Sequence, residues 1–157
     1  MEMIESFKID HTTLLPGIYV SRKDNIGNSV ITTFDIRMTS PNREPVLNTA
    51  EIHTIEHLGA TFLRNDPEYK ERIVYFGPMG CRTGFYLLIG DDITSVKIAP
   101  LIRGMFEFIA NFTQELPGAH PKECGNYLDN NVDMAKYVSR RYINNVLNNL
   151  SPDNLNY

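Results

Sequence analysis

His53-Thr54-Ile55-Glu56-His57 is the segment of this chain whose residue types and spacing point most directly to chemistry. At about 100° per residue, a helix places His53 and His57 about 40° apart on one face, with Glu56 beside them. Two imidazoles one turn apart are what a metal ion needs to take two ligands from a single helix. Ala60 and Arg64 continue that stripe, while Ile55, Leu58 and Phe62 point the other way and supply a buried face. The chain has only 4 histidines. Two of them at this spacing, with a carboxylate between, favour a metal site over a solvated helix face. A pair of histidines still lacks a third ligand, and thiols are the obvious donors. Cys124 stands in the polar run Lys122-Glu123-Cys124-Gly125-Asn126, and Cys81 stands in Met79-Gly80-Cys81-Arg82-Thr83-Gly84. A nearby cation such as Arg82 can lower a thiol pKa and supply thiolate at neutral pH. Spacing leaves open which cysteine binds metal and which is free to react, and either alone could be a small buried hydrophobe.

The string His53-x-x-Glu56-His57 has a rival meaning. Read as an inverzincin motif, it gives a metallopeptidase in which Glu56 is the base acting on metal-bound water. Such an enzyme needs a downstream glutamate ligand, for which Glu107, Glu115 and Glu123 are candidates, and a large substrate groove. The short chain and the glycine-flanked cysteines favour another chemistry. A third alternative, of a different class, is a non-enzymatic zinc-stabilised interaction module with a closed four-ligand site that includes both thiols.

Several elements must position these groups. Residues 17–22 and 29–39 read as strands; in the second, Val30, Thr32, Phe34, Ile36 and Met38 alternate with Ile31, Thr33, Asp35, Arg37 and Thr39. Asn25 to Asn28 forms the turn between them. Residues 72–77 and 84–90 are two further strands, and helices are expected over 49–64, 95–115 and 130–148. Pro100 should sit in or end the first turn of the second helix. Met105, Phe106, Phe108 and Phe112 on that helix read as core or dimer contacts, and His120 as a loop residue. The order of elements predicts an α+β fold, with helices packed on a mostly antiparallel sheet in a single domain over 1–157.

Composition narrows the classes. The chain has 157 residues, 42% of them hydrophobic, and a net charge of −4. That length buries one sizeable core without disulfides. The acidic balance argues against a protein that binds nucleic acid by neutralising phosphate. No apolar run approaches the roughly 18 residues that span a bilayer. Met1 to Asp10 lacks a basic stretch followed by an apolar core, and two cysteines are too few for a disulfide framework. The expected compartment is the cytoplasm.

Taken together, these residues resemble the S-ribosylhomocysteine lyase family, the autoinducer-2 synthases. The resemblance runs in order through Ser6-Phe7, Asp10-His11-Thr12, Phe34-Asp35-Ile36-Arg37, Pro41-Asn42, His53 to Leu58 and Arg64-Asn65. Pro78-Met79-Gly80-Cys81-Arg82-Thr83-Gly84-Phe85-Tyr86 and Glu123-Cys124-Gly125 complete it. The Pro78–Tyr86 string is far more diagnostic than the histidine motif, which several families share. The resemblance implies cleavage of S-ribosylhomocysteine to homocysteine and 4,5-dihydroxy-2,3-pentanedione, the autoinducer-2 precursor. It also implies a homodimer with its sites at the interface.

By the same resemblance His53, His57 and Cys124 would hold one divalent metal per subunit. Fe(II) is expected, and zinc or cobalt is often found in purified members. Cys81 and Glu56 would be the acid–base residues, and Ser6, His11, Arg37 and Arg64 would line the substrate pocket. Arg37 would be a better partner for the reactive thiol than Arg82. On pattern alone, Ser6 carries no signal, His11 reads as a turn residue, and Arg37 falls on the polar side of its strand, as a surface residue would. Arg64 shares the ligand stripe of its helix. One departure stands out. Many members carry an acidic residue six positions before the reactive cysteine, and a serine shortly after that acid. This chain has Tyr75 and Gly77 there. The acid is associated with gripping the homocysteine end of the substrate.

Overall fold

The computed structural model describes residues 4–157, apart from the side chains of Glu5 and Ser6. Alternation in the strand segments produces two antiparallel hairpins. Strands β1 (Gly17–Ile26) and β2 (Ser29–Arg37) form one, and β3 (Ile73–Pro78) and β4 (Gly84–Ile89) form the other. β4 pairs antiparallel with β2, which joins the hairpins into one sheet of order β1-β2-β4-β3. All four expected strands are present. β1 runs on to Ile26 through an irregularity between Val20 and Arg22.

Among the described residues, four α-helices complete the domain: a single turn, α1 (Glu5–Lys8), then α2 (Thr49–Asn65), α3 (Ser95–Ala110) and α4 (Val132–Asn145). The three long ones match the expected segments, with α3 and α4 shorter at their C-terminal ends. Asn111 stops α3 by donating both its backbone N–H and its side-chain amide to the Glu107 carbonyl, at 3.1 and 2.9 Å. Pro100 departs from expectation. It lies inside α3, past the first turn, because Thr94 caps the helix start by accepting from the Lys97 N–H. The carbonyl that Pro100 leaves without a donor belongs to Val96, an exposed residue that water can reach.

The long helices bury their apolar faces against one side of the sheet. Cross-strand pairs Phe34–Leu87 and Ile36–Phe85 meet Ile55 and Leu58 of α2, Ile102 and Phe106 of α3, and Val138 and Tyr142 of α4 in a common core. Met105 and Phe112 are buried with them. The result is the expected single α+β domain.

On the other side of the sheet, alternation puts Asp35 and Arg37 on the polar face of β2 and leaves open what that face meets. Both are buried, at 1% and 2% exposure. The end of the chain returns to cover them. Tyr157 stacks on Tyr19 of β1 with ring centroids 4.7 Å apart, and its hydroxyl donates to Asp35 Oδ2 at 2.7 Å. Asn154 secures the return by donating from Nδ2 to the Pro16 carbonyl at 2.9 Å.

Close approach of α2 to the sheet depends on Gly59. A Cβ there would lie 2.4 Å from Phe76 Cε1 and 3.1 Å from Met105 Sδ. Phe76 is buried and stacked on Phe85, so it has nowhere to move. Helix propensity alone makes Gly59→Ala stabilising by about 0.5–1 kcal/mol, whereas overpacking costs about 1–3 kcal/mol. The expected net outcome is destabilisation, read as a lower midpoint in denaturant unfolding; a raised midpoint would refute the close contact.

Candidate functional site

The phase of α2 is set at its first turn, where the Asn48 N–H donates to Glu51 Oε1 at 2.8 Å in a capping box. His53 and His57 then face the 117–131 loop, their rings edge to face with centroids 4.4 Å apart. His53 Nδ1 meets the Asp129 carbonyl at 2.8 Å, and His57 Nδ1 meets the Pro117 carbonyl at 2.8 Å. A carbonyl oxygen can only accept, so both Nδ1 atoms carry the proton and both Nε2 lone pairs are free. The same loop is tied to α2 at Thr54, whose Oγ1 accepts from the Asn131 N–H at 2.9 Å.

These bonds deliver Cys124. Its Sγ lies 3.4 Å from His53 Nε2, and one ligand atom from each of His53, His57 and Cys124 falls within 4.8 Å of the others. With metal–nitrogen and metal–sulfur bonds of about 2.0 and 2.3 Å, a tetrahedral ion places such ligands about 3.5 Å apart. The donor set therefore fits one divalent ion with a fourth position left for water or substrate. The Asn126 N–H, 3.4 Å from Cys124 Sγ, suits a sulfur that carries negative charge.

Cys81 sits elsewhere, exposed in a cavity of about 550 Å³ between the β3–β4 turn and the start of the chain. Arg37, Thr83, Tyr86 and His11 are among its walls; no residue of α2 is. Arg37 Nη1 donates to Thr83 Oγ1 at 2.6 Å and lies 3.9 Å from Cys81 Sγ. Thr83 Oγ1 is itself 3.1 Å from the sulfur, so its hydroxyl, already accepting from Arg37, can donate to a thiolate. Burial works against the charge of Arg37, but Asp35 more than offsets this and holds the guanidinium ionised. Asp35 accepts from Arg37 Nε at 3.1 Å and, in a shorter bond, from Nη2. The cation facing the thiol is thus Arg37, and adjacent Arg82 is instead held at φ 59° by the turn. Asn42, the other non-glycine residue with positive φ among the described residues, lines this cavity. Such backbone strain tends to gather at functional sites.

The remaining expected residues divide. His11 reaches the Cys81 cavity, with Nδ1 2.8 Å from the Ile9 carbonyl. Glu56 is half-buried on α2, between the two histidines in sequence. Arg64 donates to the Ile73 and Val74 carbonyls, each at 3.3 Å, and does not line the Cys81 cavity. The side chain of Ser6 lies outside the described residues. Tyr75 and Gly77 form one steric unit, since a Cβ at Gly77 would lie 2.0 Å from the Tyr75 hydroxyl. Tyr75 thus fills space that a serine would take, beside a neighbouring cavity that shares Tyr86 with that of Cys81.

Gly118 escaped sequence reasoning, although the Pro117-Gly118 pair was its only available signal. It has φ 74°, and a Cβ would lie 2.6 Å from His57 Nδ1. Comparison with known proteins agrees with this constellation. The profile of the family described as S-ribosylhomocysteinase (LuxS) matches residues 4–153. The chain is 63% identical to an S-ribosylhomocysteine lyase of Clostridium acetobutylicum and 60% identical to one of Finegoldia magna. It is 57% identical to one of Porphyromonas gingivalis, and each alignment covers 100% of this chain and 99% of the relative. Among the described residues, no helix is long and apolar enough to cross a membrane.

Since Gly118 and the Pro117 carbonyl together orient His57, Gly118→Ala should weaken Zn(II) or Co(II) retention by roughly 10–100-fold. Chelator competition measures this, and unchanged affinity would show that the ring tolerates the intrusion.

Proposed function

The chain belongs to the S-ribosylhomocysteinase family, and from that premise we propose that it cleaves S-ribosylhomocysteine to homocysteine and 4,5-dihydroxy-2,3-pentanedione, the precursor of autoinducer-2. One observation supports this most: an open three-donor metal set accompanied by a separate, exposed thiol that faces a buried guanidinium. The reaction moves the ribose carbonyl from C1 to C3 and then expels homocysteine as a β-leaving thiol, with no net oxidation or reduction. His53, His57 and Cys124 would hold one divalent ion, with Fe(II) expected and zinc or cobalt as alternatives in purified protein, and the ion would supply Lewis acidity toward the sugar oxygens.

The chain's own residues carry the protons. Cys81, as thiolate, takes a proton from one sugar carbon and, as the neutral thiol, returns it to the next, with Arg37 and Thr83 stabilising the sulfur's charge before the first transfer and after the second. Glu56 exchanges hydroxyl protons and assists the final elimination. His11, Arg37, Ser6 and Arg64 are assigned to substrate binding. His11 and Arg37 have direct support because they line the Cys81 cavity. Tyr75 takes the position of the acid associated with gripping the homocysteine end, so this chain holds the amino acid moiety differently.

We further assign the working form as a cytoplasmic homodimer with sites at the interface. The Cys81 cavity has no wall from α2, which leaves room for a second copy to complete it. Val74 and Tyr75 are exposed apolar residues beside that region. The peptidase alternative has less support, since the described ligand group contains Cys124 and no glutamate. A closed zinc module has less too, since Cys81 is outside that group.

Anaerobically purified, Fe(II)-loaded protein should release stoichiometric thiol from S-ribosylhomocysteine. Cys81→Ala should lower turnover by at least about 10²–10⁴-fold with metal content retained. Cys124→Ala should instead lose the metal. Thiol release that survives Cys81→Ala would remove the proposed role of Cys81. In sedimentation, the active species should have twice the chain mass; an active monomer would overturn the shared site.

A further inference from the structure

We propose that Tyr157 is a positioning residue for Cys81: its hydroxyl holds Asp35, Asp35 holds the guanidinium of Arg37, and that guanidinium faces the thiol. The path is continuous in the structure. Tyr157 donates to Asp35 Oδ2 at 2.7 Å, Asp35 accepts from Nε and Nη2 of Arg37, and Arg37 Nη1 is 3.9 Å from Cys81 Sγ. Asp35 and Arg37 are fully buried, and among the described residues Tyr157 is the one other hydrogen-bond partner of the Asp35 carboxylate. Tyr157 itself is half-exposed and is kept in place by its stack on buried Tyr19, whose hydroxyl is anchored to the Leu15 carbonyl at 2.8 Å.

The chemistry follows from charge. A hydroxyl aimed at Asp35 Oδ2 partly neutralises that carboxylate, leaving more of the guanidinium's field for the sulfur. Burial, then the Asp35 charge, raises the Tyr157 phenol, and the same two causes push Tyr19 up to about 12. Both rings therefore stay neutral across the range in which a thiol titrates, and Tyr157 remains a donor throughout. Tyr86 on β4 and Tyr142 on α4 feel Asp35 as well, and are likewise raised by burial first. His11, Glu44 and Arg37 face the Cys81 cavity directly. Among these tyrosines, Tyr157 is distinguished by its bond to the carboxylate.

This inference deepens the role given to Cys81 and rests on that reading for its effect on turnover, but it can be read without turnover. Metal-loaded Tyr157→Phe keeps the stack on Tyr19 and loses the bond to Asp35. Iodoacetamide labelling of Cys81 against pH, resolved from Cys124 by peptide mass, should show a midpoint raised by about 0.5–1 unit. Labelling at neutral pH should slow by about three- to tenfold. Tyr157→Ala should shift the midpoint at least as far. A tyrosine that serves only packing would lower the melting temperature of Tyr157→Ala while leaving the Cys81 midpoint of both variants in place; that result overturns the proposal. Should the midpoint shift while the acid limb of kcat/KM stays put, the positioning stands and the assignment of Cys81 as the turnover base fails.

Discussion

The buried pair of Asp35 and Arg37 is the interaction on which the rest of this site depends. Bringing two charges out of water costs several kcal/mol per ion before their attraction and hydrogen bonds offset it. That constraint accounts for the surroundings. Both carboxylate oxygens of Asp35 accept hydrogen bonds, and Arg37 adds a third bond to Thr83. Tyr19, Tyr157 and Tyr86 wall the pair with rings whose polar ends stay neutral beside it. With its carboxylate side satisfied, the guanidinium can present Nη1 toward Cys81, where a positive charge alters thiol chemistry.

The candidate metal donors obey a different constraint. Neutral imidazole binds a metal through one nitrogen, and the hydrogen bond made by the other decides which. Here the 117–131 loop provides both carbonyls that fix the tautomers, and the same loop contributes the sulfur ligand. A single excursion of chain between α3 and α4 thereby orients two candidate ligands and supplies the third. Gly118 permits that excursion where the backbone passes against the His57 imidazole.

Much of the fold was readable in advance because it is governed by local periodicity. Strand alternation and the Ile55, Leu58 face of α2 are repeated signals, and the structure places them on a common core as the pattern requires. Boundaries were less readable. The Pro100 expectation failed because the Thr94 cap sets where α3 begins, and a proline's preference for first turns does not override a cap. Arg37 was legible in part: the resemblance put it near the reactive thiol, where it lies, while strand alternation left its surroundings open. Alternation distinguishes the two faces of a strand but cannot say whether the polar face meets water or a buried network. Here it meets Tyr157, a residue 122 positions away in sequence from Asp35.

By itself the sequence determined the α+β class, the ligand-bearing helix, the identity of the two thiols and the family, since residue type, period and motif are local properties of the chain. Tertiary structure decided which thiol joins the histidines, which arginine faces the other thiol, and how Tyr75 and Gly77 share one space. It also decided that Arg64 is engaged with β3 carbonyls, away from the walls of the Cys81 cavity. Each of these depends on distances between segments remote in sequence, and those distances exist only once the core has closed and the two loops have been drawn against α2 and β2.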